Sequence, residues 1–481
     1  MSNGSHTPRI IQGGMGVGIS GWRLARAVSM RGQLGVVSGV GLDALLVRRL
    51  QDGDPDGHLR HAMAHFPIPA ISSAVLDRYF LPEGRAPGAR YAALPPPREV
   101  LEPARQRLMM LGAFVEVWLA KEGHEHPVGI NLLTKMQIPT LPTLYGALLA
   151  GVNTVLMGAG IPHEIPGALD LLSEHQPATL RLEVTGLPTG ESVLLRFNPR
   201  DHWEPVLPLQ RPQFLPIVAS HSLATMLARR ASGRVEGFIV EGPTAGGHNA
   251  PPRGTMSLNE RGEPVYGERD AVDLAKMREL GLPFWVAGGA GNPARLHEAL
   301  AAGAAGIQVG TLFAFCDESG MDESLKQSVL ASAARGEVEV RTDPRASPTG
   351  YPFKIVHWSG DPARGVVRER ICDVGYLREA YWTEEGRVGY RCGGEPVESY
   401  LRKGGKLEDT VGRQCLCNGL VATAGRPQIR RDGSLEPPLV TSGDDLEHIQ
   451  TFLAGRAHYG AGDVIDYLLS AAGQFRTSQQ E

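Results

Sequence analysis

Short apolar runs that end in glycine recur along this chain, and amphipathic stretches separate them. Eight runs have the composition of buried strands, and most continue into segments such as QGGM, VSGVG and AGGAG. Stretches with helical periodicity lie between them. Such alternation predicts a parallel sheet, and eight units favour closure into an α/β (βα)₈ TIM barrel whose strand ends share one mouth. The predicted strands are 9–12, 34–38, 128–132, 154–157, 215–219, 237–240, 284–287 and 305–309.

Two gaps in this alternation are too long for ordinary strand–helix connections. We predict insertions at about 42–126, after the second strand, and at about 161–213, after the fourth, where pieces such as RLEVTG and SVLLRF are strand-like. The barrel with its insertions then occupies residues 1–330. Beyond it the alternation stops, and 331–481 are predicted to form a C-terminal extension or subdomain that ends in helices at 444–454 and 461–472.

Charge and composition exclude several classes of partner. The 481 residues include 48 Lys and Arg against 52 Asp and Glu, a formal net charge of −4. This balance gives no electrostatic reason to bind nucleic acid or an anionic membrane. The N-terminal segment does not resemble a signal peptide, and no apolar run is long enough to span a membrane. We therefore expect a cytoplasmic protein.

Two glycine-rich regions are candidates for binding phosphate. GVGISG at 16–21 matches the dinucleotide-binding fingerprint, but the next strand ends in Ser38-Gly39, without an acidic residue to bind a ribose hydroxyl. AGGAG at 287–291 and QVGT at 308–311 end the seventh and eighth strands, where (βα)₈ barrels often bind phosphate. We favour the second region. The alternative is that its glycines only permit close packing.

A histidine lies in a glycine-rich loop behind the sixth predicted strand. The segment VEGPTAGGH places His248 at the carboxyl end of that strand, where catalytic groups of such barrels collect. Histidine titrates near neutral pH and can transfer protons during catalysis. The structural alternative is that His248 caps the following loop. His221, behind the fifth strand, is a secondary candidate for the same mouth.

In combination, five motifs resemble the nitronate monooxygenases, formerly called 2-nitropropane dioxygenases. The motifs are QGGM, GIN, EGPTAGGH, AGGAG and QVGT, and they follow one another over most of residues 8–320. The resemblance implies non-covalently bound FMN and a catalytic His248. It implies phosphate contacts from Gly288, Gly289, Gly310 and Thr311. The cofactor residues that it implies are Gln12, Gly13, Gly14, Met15, Asn131, Glu241, Gly246, Gly247, Gly288, Gly289, Gln308, Val309, Gly310 and Thr311.

The implied activity is oxidation of alkyl nitronates or nitroalkanes to carbonyl compounds and nitrite with O₂. The same superfamily contains FMN-dependent enoyl-acyl-carrier-protein reductases, so reduction of an acyl-carrier thioester of fatty-acid or polyketide type is the alternative. A non-catalytic flavin-binding accessory protein is a third. After His248 the chain departs from the family pattern with Asn249-Ala250-Pro251-Pro252. The substrate, the electron donor and the choice between monomer and homodimer stay open.

Four of the five cysteines fall within one 46-residue stretch of the extension. Cys372, Cys392, Cys415 and Cys417 could supply the four thiolates of a tetrahedral zinc site. Their spacing lacks the paired CxxC pattern, however, and buried reduced thiols explain it equally well. We predict no metal site and keep zinc as the alternative.

Overall fold

Eight parallel strands form a closed barrel in the computed structural model, which describes residues 7–366 and 368–470. In sequence order they are β1 (Ile10–Gln12), β2 (Gly35–Ser38), β3 (Val128–Leu133), β4 (Thr154–Gly158), β5 (Gln213–Val218), β6 (Phe238–Glu241), β7 (Phe284–Ala287) and β8 (Gly306–Val309). Each overlaps a predicted strand. The predicted (βα)₈ barrel is therefore confirmed.

The barrel closes between its first two strands. The sheet order is β1-β8-β7-β6-β5-β4-β3-β2. Leu34 joins the two ends, because its N–H donates to the Ile10 carbonyl at 3.1 Å and its carbonyl accepts from the Gln12 N–H at 2.9 Å. Apolar side chains that point inward fill the barrel, as is usual for an eight-stranded barrel. They are Ile11, Leu34, Val36, Leu156, Leu215, Ile239, Trp285 and Ala287.

Helices cover the outside of the barrel, and their apolar faces pack on the strands. Pro103–Lys121 ends the first predicted insertion and packs between Trp22–Met30 and Thr140–Leu149, so it serves as the outer helix after β2. The other helices of the barrel region are Gly16–Ile19, Leu42–Gln51, His58–Ala64, Pro69–Tyr79, Ile165–Ser173, His221–Arg230, Leu274–Glu279, Pro293–Ala301, Thr311–Ala314 and Glu323–Ala334.

The segment after β4 contains the strands that its sequence pattern indicates. Ala178–Leu182 and Val193–Phe197 pair antiparallel, and the short strand Val184–Thr185 pairs with Glu379–Trp382 of the extension. Two short 3₁₀ helices, Pro199–Asp201 and Glu268–Asp270, complete the barrel region. The exact limits of the insertions stay a prediction.

The C-terminal extension contains two antiparallel strand pairs and several short helices. Its strands are Val338–Asp343, Phe353–Trp358, Glu379–Trp382 and Val388–Arg391. Its helices are Val397–Arg402, Leu407–Thr410, Leu416–Thr423, Asp444–His448, Gln450–Leu453 and Ala461–Leu469.

The two C-terminal helices differ in part from their predicted bounds. The segment predicted as one helix at 444–454 is a 3₁₀ helix followed by one short α-helical turn, which ends where Ala454 takes a φ of +46°. The last helix ends at Leu469, and the predicted end at 471–472 lies outside the described residues. This helix packs against Trp22–Met30 and Pro293–Ala301 of the barrel. No helix among the described residues is long and apolar enough to cross a membrane.

Candidate active site

A cavity lies at the carboxyl ends of the barrel strands, and the extension covers it. The space open to the centre of a water molecule is about 210 Å³. Every predicted cofactor residue except Gln12 lines it, and so does His248. The motifs that are far apart in sequence are therefore brought together in one place. The extension contributes Phe353, Tyr376, Leu377, Cys417, Leu420, Thr423, Leu439, Thr441, Ser442, Gly443 and Asp445 to the lining.

Gln12 does not belong to the described cavity lining, so the geometry does not support its predicted contact with the cofactor, which stays a prediction. Its side chain is fully buried and connects β1 to β2. Oε1 accepts from the Val36 N–H at 2.9 Å, and Nε2 donates to the Ser20 hydroxyl at 2.8 Å. These bonds satisfy the amide within the barrel wall, which leaves it no free group for a ligand.

The loops after β6 and β7 approach each other so closely that only glycine fits. Gly288 and Gly289 have φ angles of +90° and +61°, a region that glycine enters without steric cost. A Cβ atom on Gly288 would lie 2.9 Å from the Thr244 hydroxyl oxygen and 3.0 Å from the Ala245 nitrogen. The two glycines thus keep the backbone open toward the cavity at the predicted phosphate-binding end.

Segment 441–445 of the extension covers this end of the cavity. The Gly443 N–H donates to the Thr311 hydroxyl at 3.1 Å. The Gly291 N–H donates to the Asp445 carboxylate at 3.0 Å. Burial raises the pKa of the Asp445 carboxyl. The extension is therefore part of the wall around the predicted phosphate-binding loops.

Two enclosed oxygen atoms of the lining have no hydrogen-bond partner among the described residues. They are Oδ1 of Asn131 and Oε1 of Gln308. An unsatisfied buried acceptor costs about 1–3 kcal/mol, so both atoms indicate a ligand that carries hydrogen-bond donors. A flavin has such donors in its ring N–H and its ribityl hydroxyls. Among the described lining residues there is no lysine or arginine, so the phosphate would depend on backbone N–H groups and hydroxyls. This set of groups fits FMN.

Glu241 ends β6 and presents its carboxyl group to the cavity. Burial raises the pKa of this carboxyl to about 8, because few polar groups replace its lost hydration. At neutral pH the side chain is therefore mostly protonated, and it can donate a hydrogen bond as well as accept one.

His248 lies in the glycine loop after β6, and the extension holds that loop in place. The Gly247 N–H donates to the Thr441 hydroxyl at 3.0 Å, and the Gly247 carbonyl accepts from the Lys354 N–H at 2.9 Å. The imidazole packs edge-on against the Phe353 ring, with 4.8 Å between centroids. The residues that contact the Gly247–His248 segment here are Thr441, Lys354 and Phe353, and all three belong to the extension.

The hydrogen bonds of His248 distinguish its two predicted roles, which are catalysis and capping of the following loop. Nε2 bonds to the Ser347 hydroxyl at 2.7 Å, and among the described residues the ring caps no part of its own loop. Nδ1 has no partner in the described part of the chain, yet it is not one of the enclosed unpartnered atoms. Nδ1 is therefore not fully enclosed by protein, and the His248 side chain belongs to the cavity lining. Burial, with a smaller contribution from the Lys135 charge, lowers the pKa of His248 to about 4, so the ring is neutral at neutral pH.

His221 is not brought to the cavity. It begins the helix His221–Arg230, where the hydroxyl of the preceding Ser220 accepts the Leu223 N–H at 3.1 Å. The described cavity lining does not include it.

Sequence patterns missed the contribution of the extension to the site. Ser347, Tyr376 and Asp445 follow no strand of the barrel, and their loops carry no glycine-rich strand-end signal. The one local signal is TSGDD at 441–445, a cluster of small polar residues before a helical turn.

The four cysteines of the extension lie near one another, with Cys415 and Cys417 at the start of the helix Leu416–Thr423. The Cys415 thiol lies 3.8 Å from the Ile371 carbonyl, and Arg370 donates to the Gly393 carbonyl at 2.9 Å. All four are free thiols, and Cys417 lines the cavity. Within the described residues, no three His, Cys, Asp or Glu side chains are arranged to hold a metal ion. The absence of zinc stays a prediction that elemental analysis can test.

Comparison with known proteins finds a partial match to one family. Residues 200–345 match the family model described as nitronate monooxygenase. A nitronate monooxygenase of Paraburkholderia phytofirmans is 30% identical over 122 residues, which are 25% of this chain and 31% of that protein. The match thus spans about a third of that relative. The resemblance predicted from the motifs is confirmed.

Two solved structures show a weaker likeness over most of their length. FabK from Thermotoga maritima is 16% identical with a TM-score of 0.47, covering 96% of this chain and 92% of that one. A nitroalkane oxidase from Streptomyces ansochromogenes is 15% identical with a TM-score of 0.46, covering 96% and 94%. At this identity and TM-score, neither likeness supports a further conclusion about the fold or the site of this chain.

Proposed function

We propose that this chain, which carries the nitronate monooxygenase pattern at 200–345, is an FMN-dependent oxidoreductase. Its proposed reaction converts alkyl nitronates and nitroalkanes, with O₂, into carbonyl compounds and nitrite. One observation carries the proposal: a neutral imidazole, with Nδ1 unbonded among the described residues, faces a cavity that also contains glycine loops and unsatisfied acceptors.

The residues of the cavity divide the work between binding and proton transfer. Backbone N–H groups at Gly288, Gly289 and Gly310 would hold the phosphate, and Asn131 and Gln308 would accept hydrogen bonds from the flavin. When bound, FMN supplies the redox chemistry with O₂. His248 would remove the proton next to the nitro group of a neutral nitroalkane. A nitronate has already lost that proton, so it would not need His248 as a base.

His248→Ala tests this assignment. The variant should keep bound FMN, because the phosphate-binding loops are untouched. Its turnover with neutral nitroalkane should fall by about two to four orders of magnitude, the usual contribution of a positioned acid–base group. Turnover with preformed nitronate should fall far less. His221→Ala is the matched control, since that side chain lies outside the cavity, and it should retain both activities.

Two results would redirect the proposal. Equal loss of both activities in His248→Ala would make the histidine a group that orients the flavin or substrate rather than a base. A wild-type protein that binds FMN but releases no nitrite, and that oxidises NAD(P)H only with an enoyl thioester, would favour the enoyl reductase alternative. A protein that binds flavin and turns over neither substrate would be the accessory protein.

A further inference from the structure

Two hydroxyl groups connect His248 to the surface of the protein. Nε2 of His248 lies 2.7 Å from the Ser347 hydroxyl oxygen, which lies 2.8 Å from the Thr349 hydroxyl oxygen. Ser347 is fully buried, whereas Thr349 is partly exposed. The three side chains therefore form a continuous row from the cavity wall to a partly exposed residue.

The backbone around Ser347 holds its hydroxyl in this row. Arg413 donates to the Ser347 carbonyl. The Asp343 carboxylate accepts from the Ala346 N–H at 3.0 Å, and the Gln414 N–H donates to the Ala346 carbonyl at 2.9 Å. Ser347 is thus fixed from both sides by the extension. A side chain fixed in this way can determine which nitrogen of a neighbouring imidazole carries the proton.

Two backbone N–H groups of the loop donate to the hydroxyl oxygens of Ser347 and Thr349. These bonds use only oxygen lone pairs, so each hydroxyl proton is still available to donate outward. The Thr349 N–H donates to the Ser347 oxygen at 3.2 Å, and the Tyr351 N–H donates to the Thr349 oxygen at 3.4 Å. Each hydroxyl has a single proton of its own to donate. When Nε2–H donates to Ser347, the Ser347 proton points to Thr349 and the Thr349 proton can point to solvent.

We propose that Ser347 and Thr349 are positioning residues that keep the His248 proton on Nε2 and conduct it to solvent after catalysis. This inference rests on the proposed function. The substrate C–H bond breaks, its electron pair stays on carbon, and its proton goes to Nδ1. Nε2–H then passes its proton to the Ser347 oxygen, the Ser347 proton passes to Thr349, and the Thr349 proton passes to water, which leaves the neutral ring with a proton on Nδ1. Before the next turnover Nδ1–H gives that proton to water in the cavity, and the same two hydroxyls return a proton from solvent to Nε2. No electron is transferred in these steps.

The need for such a row follows from the surroundings of the histidine. Burial disfavours the imidazolium that forms when His248 accepts a proton, as its lowered pKa indicates. A partner that accepts the proton on the opposite nitrogen shortens the life of that cation. The row therefore allows a weakly basic imidazole to act as a base.

Ser347→Ala and Thr349→Val separate the two parts of the proposal. Ser347→Ala should lower nitroalkane turnover by about 10- to 100-fold, as expected for a group that orients a catalytic one, and should leave nitronate turnover and bound FMN almost unchanged. Nitrogen-15 NMR of His248 should show the proton on Nε2 in the wild type and a mixture of tautomers in this variant. Thr349→Val should keep the tautomer and lower nitroalkane turnover about tenfold.

The control variant and the two measurements distinguish the positioning role from proton conduction. Ser434 is an exposed serine of the same extension, and Ser434→Ala should change neither the nitroalkane turnover nor the His248 tautomer. A wild-type spectrum with the proton on Nδ1, or an unchanged tautomer in Ser347→Ala, would overturn the positioning role even if nitroalkane is no substrate. Unchanged turnover in Thr349→Val would overturn conduction through that residue. Absence of nitroalkane turnover in the wild type would overturn the proposed function and leave the NMR test intact.

Discussion

Two titratable side chains of the cavity are held in their neutral forms by the same cause. Burial raises the pKa of the Glu241 carboxyl to about 8 and lowers the pKa of the His248 imidazole to about 4. Desolvation disfavours the charged form in both cases, although the charges have opposite signs. Near pH 7 these two groups therefore add almost no net charge to the wall of the cavity. Such a wall suits the uncharged ring of the proposed flavin and a neutral nitroalkane.

Glu241→Gln should reveal the cost of ionising this buried carboxyl. The folded-state pKa of about 8 lies above the ordinary value of 4.5, so between these limits the folded protein binds more protons than the unfolded chain. The wild type should therefore lose stability as pH rises from about 4.5 to 8. Because the glutamine amide of the variant does not ionise, the variant avoids this loss. The melting temperature of the variant minus that of the wild type should therefore increase as the pH rises over this range.

Thermal unfolding at pH 5, 6, 7 and 8 measures this difference. Glu260→Gln is the control, since Glu260 is exposed, and its melting temperature should follow the wild type at every pH. A constant difference between Glu241→Gln and wild type across the range would show that Glu241 does not titrate as its burial implies.

Single residues were predicted in two ways. The position behind a strand end indicated His248, whereas the family resemblance implied Asn131 and Glu241, and all three line the cavity. Gln12 lies at a strand end too, but its side chain points into the barrel wall. All three residues of β1 are buried, so the alternation that would separate the two directions is absent from the sequence.

Three loops form the predicted phosphate-binding end of the cavity, and Gly289 in one of them provides a direct test. Gly289 has a φ of +61°, and a Cβ atom there would lie 3.2 Å from the Thr244 hydroxyl oxygen. Gly289→Asp would place a carboxylate next to the phosphate, which is strongly unfavourable. The variant should fold and purify without flavin, as judged by its visible absorbance.

Gly289→Ala separates charge from backbone strain. Alanine in the left-handed region costs roughly 1–2 kcal/mol of stability but brings no charge. It should therefore retain FMN at a lower melting temperature. Loss of flavin from both variants would mean that backbone shape, and not phosphate, is affected. Full retention in Gly289→Asp would place the cofactor phosphate elsewhere.

The elements that the sequence predicts best are those with strong local patterns. All eight barrel strands contain a short apolar run, most of them continue into a glycine segment, and both patterns are local. The C-terminal segment after Asp444 has a helical pattern as well, yet it forms a 3₁₀ helix and one α-helical turn. There Asp444 and Asp445 are drawn toward Lys354 and Gly291, which are distant in sequence. Such contacts leave no periodicity to detect.

The extension packs against the barrel and shares its hydrophobic core. Val464 and Leu468 of the last helix belong to the same buried cluster as Leu24 and Val28 of the barrel helix Trp22–Met30. The extension also covers the cavity and holds the His248 loop. These relations depend on pairs of residues that are far apart in the chain, 99 positions for His248 and Ser347 and 194 for Gly247 and Thr441. Sequence patterns could therefore predict that an extension exists but not what it completes.

Adjacent leucines near the end of the chain allow a test of this integration. Leu468 is 0% exposed, and Leu469 is 41% exposed in the same helix. Leu468→Ala should cost about 2–5 kcal/mol in the free energy of unfolding, the usual range for a buried leucine. Leu469→Ala should cost no more than about 0.5 kcal/mol. Chemical denaturation followed by circular dichroism measures both.

The number of transitions decides whether the extension is a separate subdomain. If extension and barrel unfold together, Leu468→Ala should shift one cooperative transition, and flavin release should shift with it. An independent subdomain would instead unfold first in Leu468→Ala, giving a second transition at lower denaturant while the barrel transition stays at its wild-type midpoint. Because the extension forms one wall of the cavity, flavin release in that case would follow the earlier transition. We expect a single transition, since the packing of Leu468 joins the two parts in one core.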